Sequence, residues 1–170
     1  MKKEPKVLLV MGSDSDFPVL EGCIKLLKQF GVFVQVLVCS AHRTPDKAAE
    51  YAKTAEENGF DVIIAAAGKA AHLPGVLAAY TPLPVIGVPI KSSTMDGLDS
   101  LLSIVQMPSG IPVATVAIDG GDNAALLAIQ ILSVGYSELR EKMKEYKIQL
   151  ARKVEEKNKA LQEKLLGGIL

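Results

Sequence analysis

Val32-Phe-Val-Gln-Val-Leu-Val-Cys-Ser-Ala-His-Arg-Thr-Pro-Asp46 contains a strand, a turn and the start of a helix. The run Val32 to Val38 is apolar and β-branched, and reads as a buried strand. Thr44 reads as a helix N-cap and Pro45 as the first helical residue. Ser40, His42 and Arg43 therefore share a strand-to-helix turn. In an open α/β sheet, ligands bind outside the carboxyl ends of the strands, where such turns lie. His42 is one of two histidines, and Arg43 is the only arginine before Arg140. A planar guanidinium suits a phosphate or carboxylate better than an ammonium does. On these residues alone two readings stand: a ligand site, or a surface histidine beside an arginine that caps a neighbouring carbonyl.

The same strand-then-helix order repeats on both sides of this stretch. Val7 to Met11 reads as the first strand, and 17–30 as a helix with Val19, Leu20, Cys23, Leu26, Leu27 and Phe30 on one face, ended by Gly31. A helix over 45–58 stops at Asn58-Gly59, and Asp61 to Ala67 is the third strand. A short helix starts near Pro74, and the fourth strand covers 84–89. Asp96 is placed to cap a helix over 97–106, the fifth strand covers 113–118, and Asn123 starts a helix over 124–132. Repeated β-then-α order predicts an α/β fold: a parallel sheet with right-handed crossovers and helices on both faces.

Composition agrees. Hydrophobic residues make up 49% of the 170 and aromatics 5%, so Ala, Val, Ile and Leu carry the core of what length predicts to be one domain. Nineteen basic and nineteen acidic residues cancel, so no global field draws in nucleic acid or an anionic membrane. Cys23 and Cys39 lie in apolar surroundings without metal-ligand spacing, as reduced cytosolic thiols do. The charged start Met1 to Lys6 lacks the apolar segment of a signal peptide, and no run reaches transmembrane length. The expectation is a cytoplasmic protein.

The chain from 137 differs in kind. Ser137 to Leu166 contains no Gly or Pro, and apolar residues recur at Leu139, Met143, Tyr146, Leu150, Val154, Leu161 and Leu165. A helix of that length spans about 45 Å, more than the body of a small domain. The expectation is a catalytic segment 1–136 followed by a helical segment 137–170 that packs on a neighbouring subunit of a homo-oligomer; a frayed, solvated tail is the alternative. Nine basic residues in this helix are mixed with six acidic ones, which argues against a nucleic-acid patch.

Three loops leave the carboxyl ends of the first three strands and so share one edge of the sheet. The first, Gly12-Ser-Asp-Ser-Asp16, joins a tight turn to a helix start, and Ser13 and Ser15 add hydroxyl donors. Asp14 and Asp16 repel a pure phosphate, so one of them either accepts from sugar hydroxyls or, as Asp16, caps the helix. The loop is neither a P-loop nor a Gly-x-Gly-x-x-Gly turn. The third, Gly68-Lys-Ala-Ala-His-Leu-Pro-Gly75, has small residues that admit a ligand to the backbone. His72 either lines the site or orders the loop, and Lys69 either neutralises a carboxylate or sits in solvent. Lys91 to Gly97 follows the fourth strand. The rigid segment 104–113, with Met107-Pro108, is either an apolar wall or a plain connector.

Met11-Gly-Ser-Asp-Ser-Asp16, Ser40-Ala-His-Arg-Thr-Pro-Asp46 and Ala70-Ala-His-Leu-Pro-Gly75 together resemble the class I PurE enzymes of purine biosynthesis. Gly97-Leu-Asp-Ser-Leu-Leu-Ser-Ile-Val-Gln-Met-Pro108 and Asn123-Ala-Ala-Leu-Leu-Ala128 extend the resemblance over nearly the whole chain. It implies a three-layer, flavodoxin-like α/β/α fold and a homo-octamer with sites between subunits. It also implies a mutase that moves a carboxylate from N5 to C4 of a small-molecule substrate, N5-carboxyaminoimidazole ribonucleotide, without metal or cofactor. His42 would be the general acid and base, since imidazole gains and loses a proton near neutral pH. Ser15, Ser40 and Arg43 would hold the phosphate and Asp16 the ribose. Ser13 and the backbone of Gly68, Lys69, Ala70 and Ala71 would hold the migrating carboxylate and the base, with His72 beside them.

Class II members, which carboxylate aminoimidazole ribonucleotide directly with CO2, more often carry Ser-Ala-His-Lys in the second loop; Arg43 and His72 to Gly75 favour class I. Many family members have Gly-Gly where this chain has Gly68-Lys69, and Asp119-Gly-Gly-Asp122 is also unlike the usual pattern. A phosphate-accepting receiver module needs an aspartate at the end of the third strand, and Ala65-Ala-Ala-Gly68 has none. A nucleotide-binding module without catalysis would leave His42 without a role.

Overall fold

A right-twisted strand followed by a helix packs back onto its sheet in one hand, and this chain repeats that unit. The computed structural model describes residues 4–168, so both outer ends of the expected segments 1–136 and 137–170 lie outside the described residues. Strands β1 (Lys6–Met11), β2 (Phe33–Val38), β3 (Val62–Gly68), β4 (Val85–Ile90) and β5 (Ala114–Thr115) form one parallel sheet in the order β2-β1-β3-β4-β5. The helices are α1 (Phe17–Phe30), α2 (Pro45–Thr54), α3 (Leu73–Tyr80), α4 (Leu98–Val105), α5 (Gly121–Leu132) and α6 (Ser137–Gly168), with a 3-10 turn, Asp14–Asp16, before α1.

Alternation along β1 divides the core. Val7, Leu9 and Met11 pack with Leu20 and Leu27 of α1, Ile129 of α5 and Leu139 of α6. Leu8 and Val10 pack with Ala48 and Ala52 of α2, Leu77 of α3 and Ile104 of α4. The result is the expected three-layer α/β/α sandwich. Helices α1 and α5 come close because Gly22 and Gly121 lack side chains: a Cβ on Gly121 would overlap the Val19 carbonyl oxygen, and one on Gly22 the Asp122 carboxylate. Strand order reverses between β1 and β3, so the loops above them diverge and leave a crevice.

Several local expectations are corrected. Strand β2 is not buried throughout; it is the sheet edge, and Phe33 and Val38 are 44% and 59% exposed. β5 is two residues, because Val116 and Asp119 hang on β4 by single bonds to Gly87 O and Pro89 O rather than by a continuing ladder. α2 ends at Thr54, short of 58, where the chain turns into Gly59 at φ 82°. Thr44 occupies the N-cap position, but its hydroxyl donates to Ser40 O (2.9 Å) and accepts from Ser40 N–H (3.1 Å), closing the turn instead of capping α2. Asp96 does not cap α4: it sits at φ 51° with its carboxylate 3.3 Å from Lys91 Nζ, and Gly97 takes the N-cap. α5 starts at Gly121, ahead of Asn123.

The apolar stripe of α6 divides in two. Leu139 and Met143 are buried in their own core, and Tyr146 meets Phe30 edge-on at 5.6 Å between ring centroids. Leu150, Val154, Leu161 and Leu165 are exposed, on a helix of 32 residues that is about 48 Å long.

Candidate active site

The β1 loop is a capping box. Ser13 Oγ accepts from Ser15 N–H (3.3 Å) while Asp16 Oδ2 accepts from Ser13 N–H (3.2 Å), and Ser15 Oγ donates to Ser13 Oγ (2.8 Å). Asp16 thus caps the 3-10 turn and not α1. Its carboxyl is buried and is pushed above the usual 3.8, chiefly by loss of solvation. The Ser13 N–H and the Ser15 hydroxyl pull the other way, and the charges of Asp14 and Asp119 add to the rise.

In the β2 turn, Arg43 donates to Ser40 Oγ through its backbone N–H (3.2 Å) and Nε (3.5 Å). Those bonds use the oxygen's lone pairs and leave the Ser40 hydroxyl proton for a ligand. His42 stands between them, exposed, and meets the β3 loop. Nε2 of His42 is 2.8 Å from Nδ1 of His72, with the rings edge to face at 85°. One nitrogen donates and the other accepts, so a single proton lies between the rings. Two tight turns aim His72: Ala71 N–H donates to Lys69 O and His72 N–H to Ala70 O, both at 2.9 Å. Lys69 holds a left-handed φ of 56° at the head of these turns.

These groups line one cavity of about 630 Å³, a volume suited to a small-molecule ligand. Ser13, Ser15, Asp16, Ser40, His42, Arg43, Gly68, Lys69, Ala70 and His72 all reach it. Ala71 does not. Its side chain is fully buried in the core beneath the loop, and its N–H donates to Lys69 O. Sequence reasoning missed Lys91, Ser92 and Ser93, which line the cavity from the end of β4. The rule that located the other loops, the carboxyl end of a parallel strand, would have found them. Lys91 N–H is fastened to Asp119 Oδ1 at 2.8 Å and Ser92 Oγ to Asp99 Oδ1 at 2.7 Å. Met107 and Pro108 are absent from the lining; Met107 lies against Gly75 of α3.

The cavity therefore offers three cationic side chains, five serine hydroxyls on its β1, β2 and β4 loops, one buried carboxyl and a hydrogen-bonded histidine pair. Such a set can bind an anion, accept from sugar hydroxyls and move a proton.

Comparison with known proteins gives one family over most of the chain. Residues 6–153 match the family model described as AIR carboxylase. The chain is 62% identical over 164 residues to the N5-carboxyaminoimidazole ribonucleotide mutase of Pyrococcus horikoshii, covering 96% of this chain and 93% of that protein. It is 55% identical over 162 residues to the phosphoribosylaminoimidazole carboxylase of Candida albicans, covering 95% of this chain but 28% of that one. The crystal structure of Treponema denticola PurE superposes with a TM-score of 0.83 at 32% identity, covering 93% of this chain and 99% of the other.

Proposed function

The chain belongs to the AIR carboxylase family, and on that premise we propose that it is an N5-carboxyaminoimidazole ribonucleotide mutase, an isomerase of purine biosynthesis. The observation that carries the reading is the His42–His72 pair on a cavity that also holds phosphate-type donors and a sugar-type acceptor. The substrate has a phosphate at one end, a carboxylate at the other and a ribose between them. Ser15, Ser40 and Arg43 take the phosphate, and Asp16 takes ribose hydroxyls. Ser13 and the Gly68 to Ala70 backbone face the carboxylate and the base.

In the reaction the bond from N5 to the carboxylate carbon breaks, CO2 departs, and a bond from C4 to that carbon forms. One proton leaves C4 and one arrives at N5, so atoms balance without an outside reactant. His42 serves both transfers, and His72 keeps the imidazole aligned by accepting from or donating to Nε2. Both histidines are exposed in the single chain, whereas CO2 must be kept from escaping. A neighbouring subunit supplies that cover in this reading. The apolar outer half of α6, from Leu150 to Leu165, supports an oligomer, which we take to be a cytoplasmic homo-octamer with residues 137–170 packed on a neighbour.

A second reading, direct carboxylation of aminoimidazole ribonucleotide with CO2, is kept because the Candida relative is named a carboxylase. Turnover of fresh N5-carboxyaminoimidazole ribonucleotide, run beside aminoimidazole ribonucleotide with bicarbonate, decides between them. Product from the carbamate alone, abolished by His42→Asn, is the expected result. Product from the bicarbonate mixture with the carbamate ignored overturns it.

A further inference from the structure

The three cations on the cavity are not equivalent. Arg43 is bent over its own turn and tied to Ser40 Oγ at the β2 end. Lys91 has its ammonium 3.3 Å from the Asp96 carboxylate. Lys69 makes no ion pair among the described residues, and it stands after β3, the middle strand of the sheet.

Its backbone sharpens the point. At φ 56° a side chain crowds the following carbonyl, whereas glycine adopts this conformation freely. The turn that aims His72 asks only for the backbone, so a glycine would serve it better. Lysine adds one thing at this position, an ammonium on a four-carbon stem three residues before His72.

We propose that Lys69 Nζ pairs with the migrating carboxylate, and so sets the preference for carboxylated over uncarboxylated ribonucleotides. The proposal rests on the mutase reading and deepens it. With the phosphate held on the β1 and β2 turns, the base end of the ligand comes to the β3 loop, where Lys69 is the unpaired cation. A flexible stem can follow the group from N5 to C4, which a fixed guanidinium fork would do less well. Between those positions the group is neutral CO2, and the ion pair is absent. Lys69 therefore stabilises substrate and product more than the intermediate, which lowers KM without raising kcat.

Calorimetric titration of the full chain with two ligands tests this: 4-carboxy-5-aminoimidazole ribonucleotide, and aminoimidazole ribonucleotide, which lacks the carboxylate. Lys69→Met and Lys69→Gly should weaken the carboxylated ligand roughly fivefold, as an exposed ion pair does, and leave the other within about twofold. Lys69→Arg should keep most of the difference. The glycine variant relieves the strained turn, so its folding is secure. In turnover, Lys69→Met should raise KM by a similar factor with kcat unchanged or higher. Equal loss for both ligands would put the ammonium on the phosphate and overturn the assignment, as would no loss for either. Failure of the wild-type chain to bind either ligand would overturn the mutase reading, and this assignment with it.

Discussion

Nε2 of His42 and Nδ1 of His72 lie 2.8 Å apart across two loops, although thirty residues separate them in the chain. The β2 turn and the β3 loop meet there above β1, which lies between their strands. The bond fixes the orientation of the His42 ring through one of its two nitrogens, Nε2. His42 is in this sense oriented by tertiary structure, while its chemistry is that of any imidazole.

Removing each ring should therefore have a different effect. His42→Asn should lower kcat by about 10²- to 10⁴-fold, the usual contribution of a positioned acid–base group, with ligand binding retained. His72→Asn should lower kcat by about tenfold to a hundredfold and change the shape of the pH–rate profile, because the proton between the rings has lost one of its hosts. A pH profile of unchanged shape would reduce His72 to a loop-ordering residue.

Asp16 links site and stability. Burial raises its carboxyl above 3.8, so the native state binds more protons than the unfolded state in the window that opens upward from there. The folded chain thus loses stability as pH rises through that window, and the loss is complete above the folded pKa. Asp16→Asn should remove this dependence. Urea unfolding at a series of pH values should show the variant gaining on the wild type as pH rises from about 3.8 and then levelling off. A constant difference across pH would contradict the assignment. Ligand affinity should fall in the same variant.

Close helix packing makes a second stability test. Gly121→Ala pushes a methyl into the Val19 carbonyl and should cost about 1–3 kcal/mol by denaturant unfolding. Gly167→Ala meets nothing within 4 Å and lies in α6, so it should be neutral or stabilising by up to roughly 1 kcal/mol.

Both cysteines should be silent toward a disulfide-exchange reagent near pH 8 until the chain unfolds. Both are buried, and desolvation pushes the Cys23 thiol up to about 12, where it supplies almost no thiolate. Rapid labelling of Cys23 in the native protein would show that α1 and α5 open readily, and labelling of Cys39 would show that the β2 turn opens.

The outer half of α6 tests the assembly. Val154→Glu with Leu161→Glu should lower the particle mass in sedimentation while circular dichroism keeps its shape, since neither residue touches its own core. An unchanged mass would exclude this stripe from the subunit contact.

Much of this was legible in the chain. Apolar runs such as Val7 to Met11, set between glycines and helix starts, announce strands by local chemistry, and their repeated alternation with helical periods implies a parallel sheet. That sheet places the loops at 12–16, 40–46 and 68–75 on one edge. Motif resemblance supplied the substrate, which no periodicity could. The loop from Lys91 to Ser93 follows from the same edge rule, although its residues carry no distinctive chemistry in isolation.

Other features depend on separations that no local pattern encodes. Strand order β2-β1-β3-β4-β5 leaves β2 at an edge, so Phe33 and Val38 are exposed despite an apolar sequence. The same order brings His42 to His72 and drops Ala71 into the core while Lys69, two residues earlier, faces the cavity. Thr44 bonds back to Ser40, and Asp96 pairs with Lys91, and neither side chain caps the helix that follows it. Local sequence determined which elements form and which turns carry polar groups, since periodicity and turn chemistry act over a few residues. Tertiary structure decided which of those groups meet, since a sheet with strands about 4.8 Å apart brings together loops that the chain keeps dozens of positions apart.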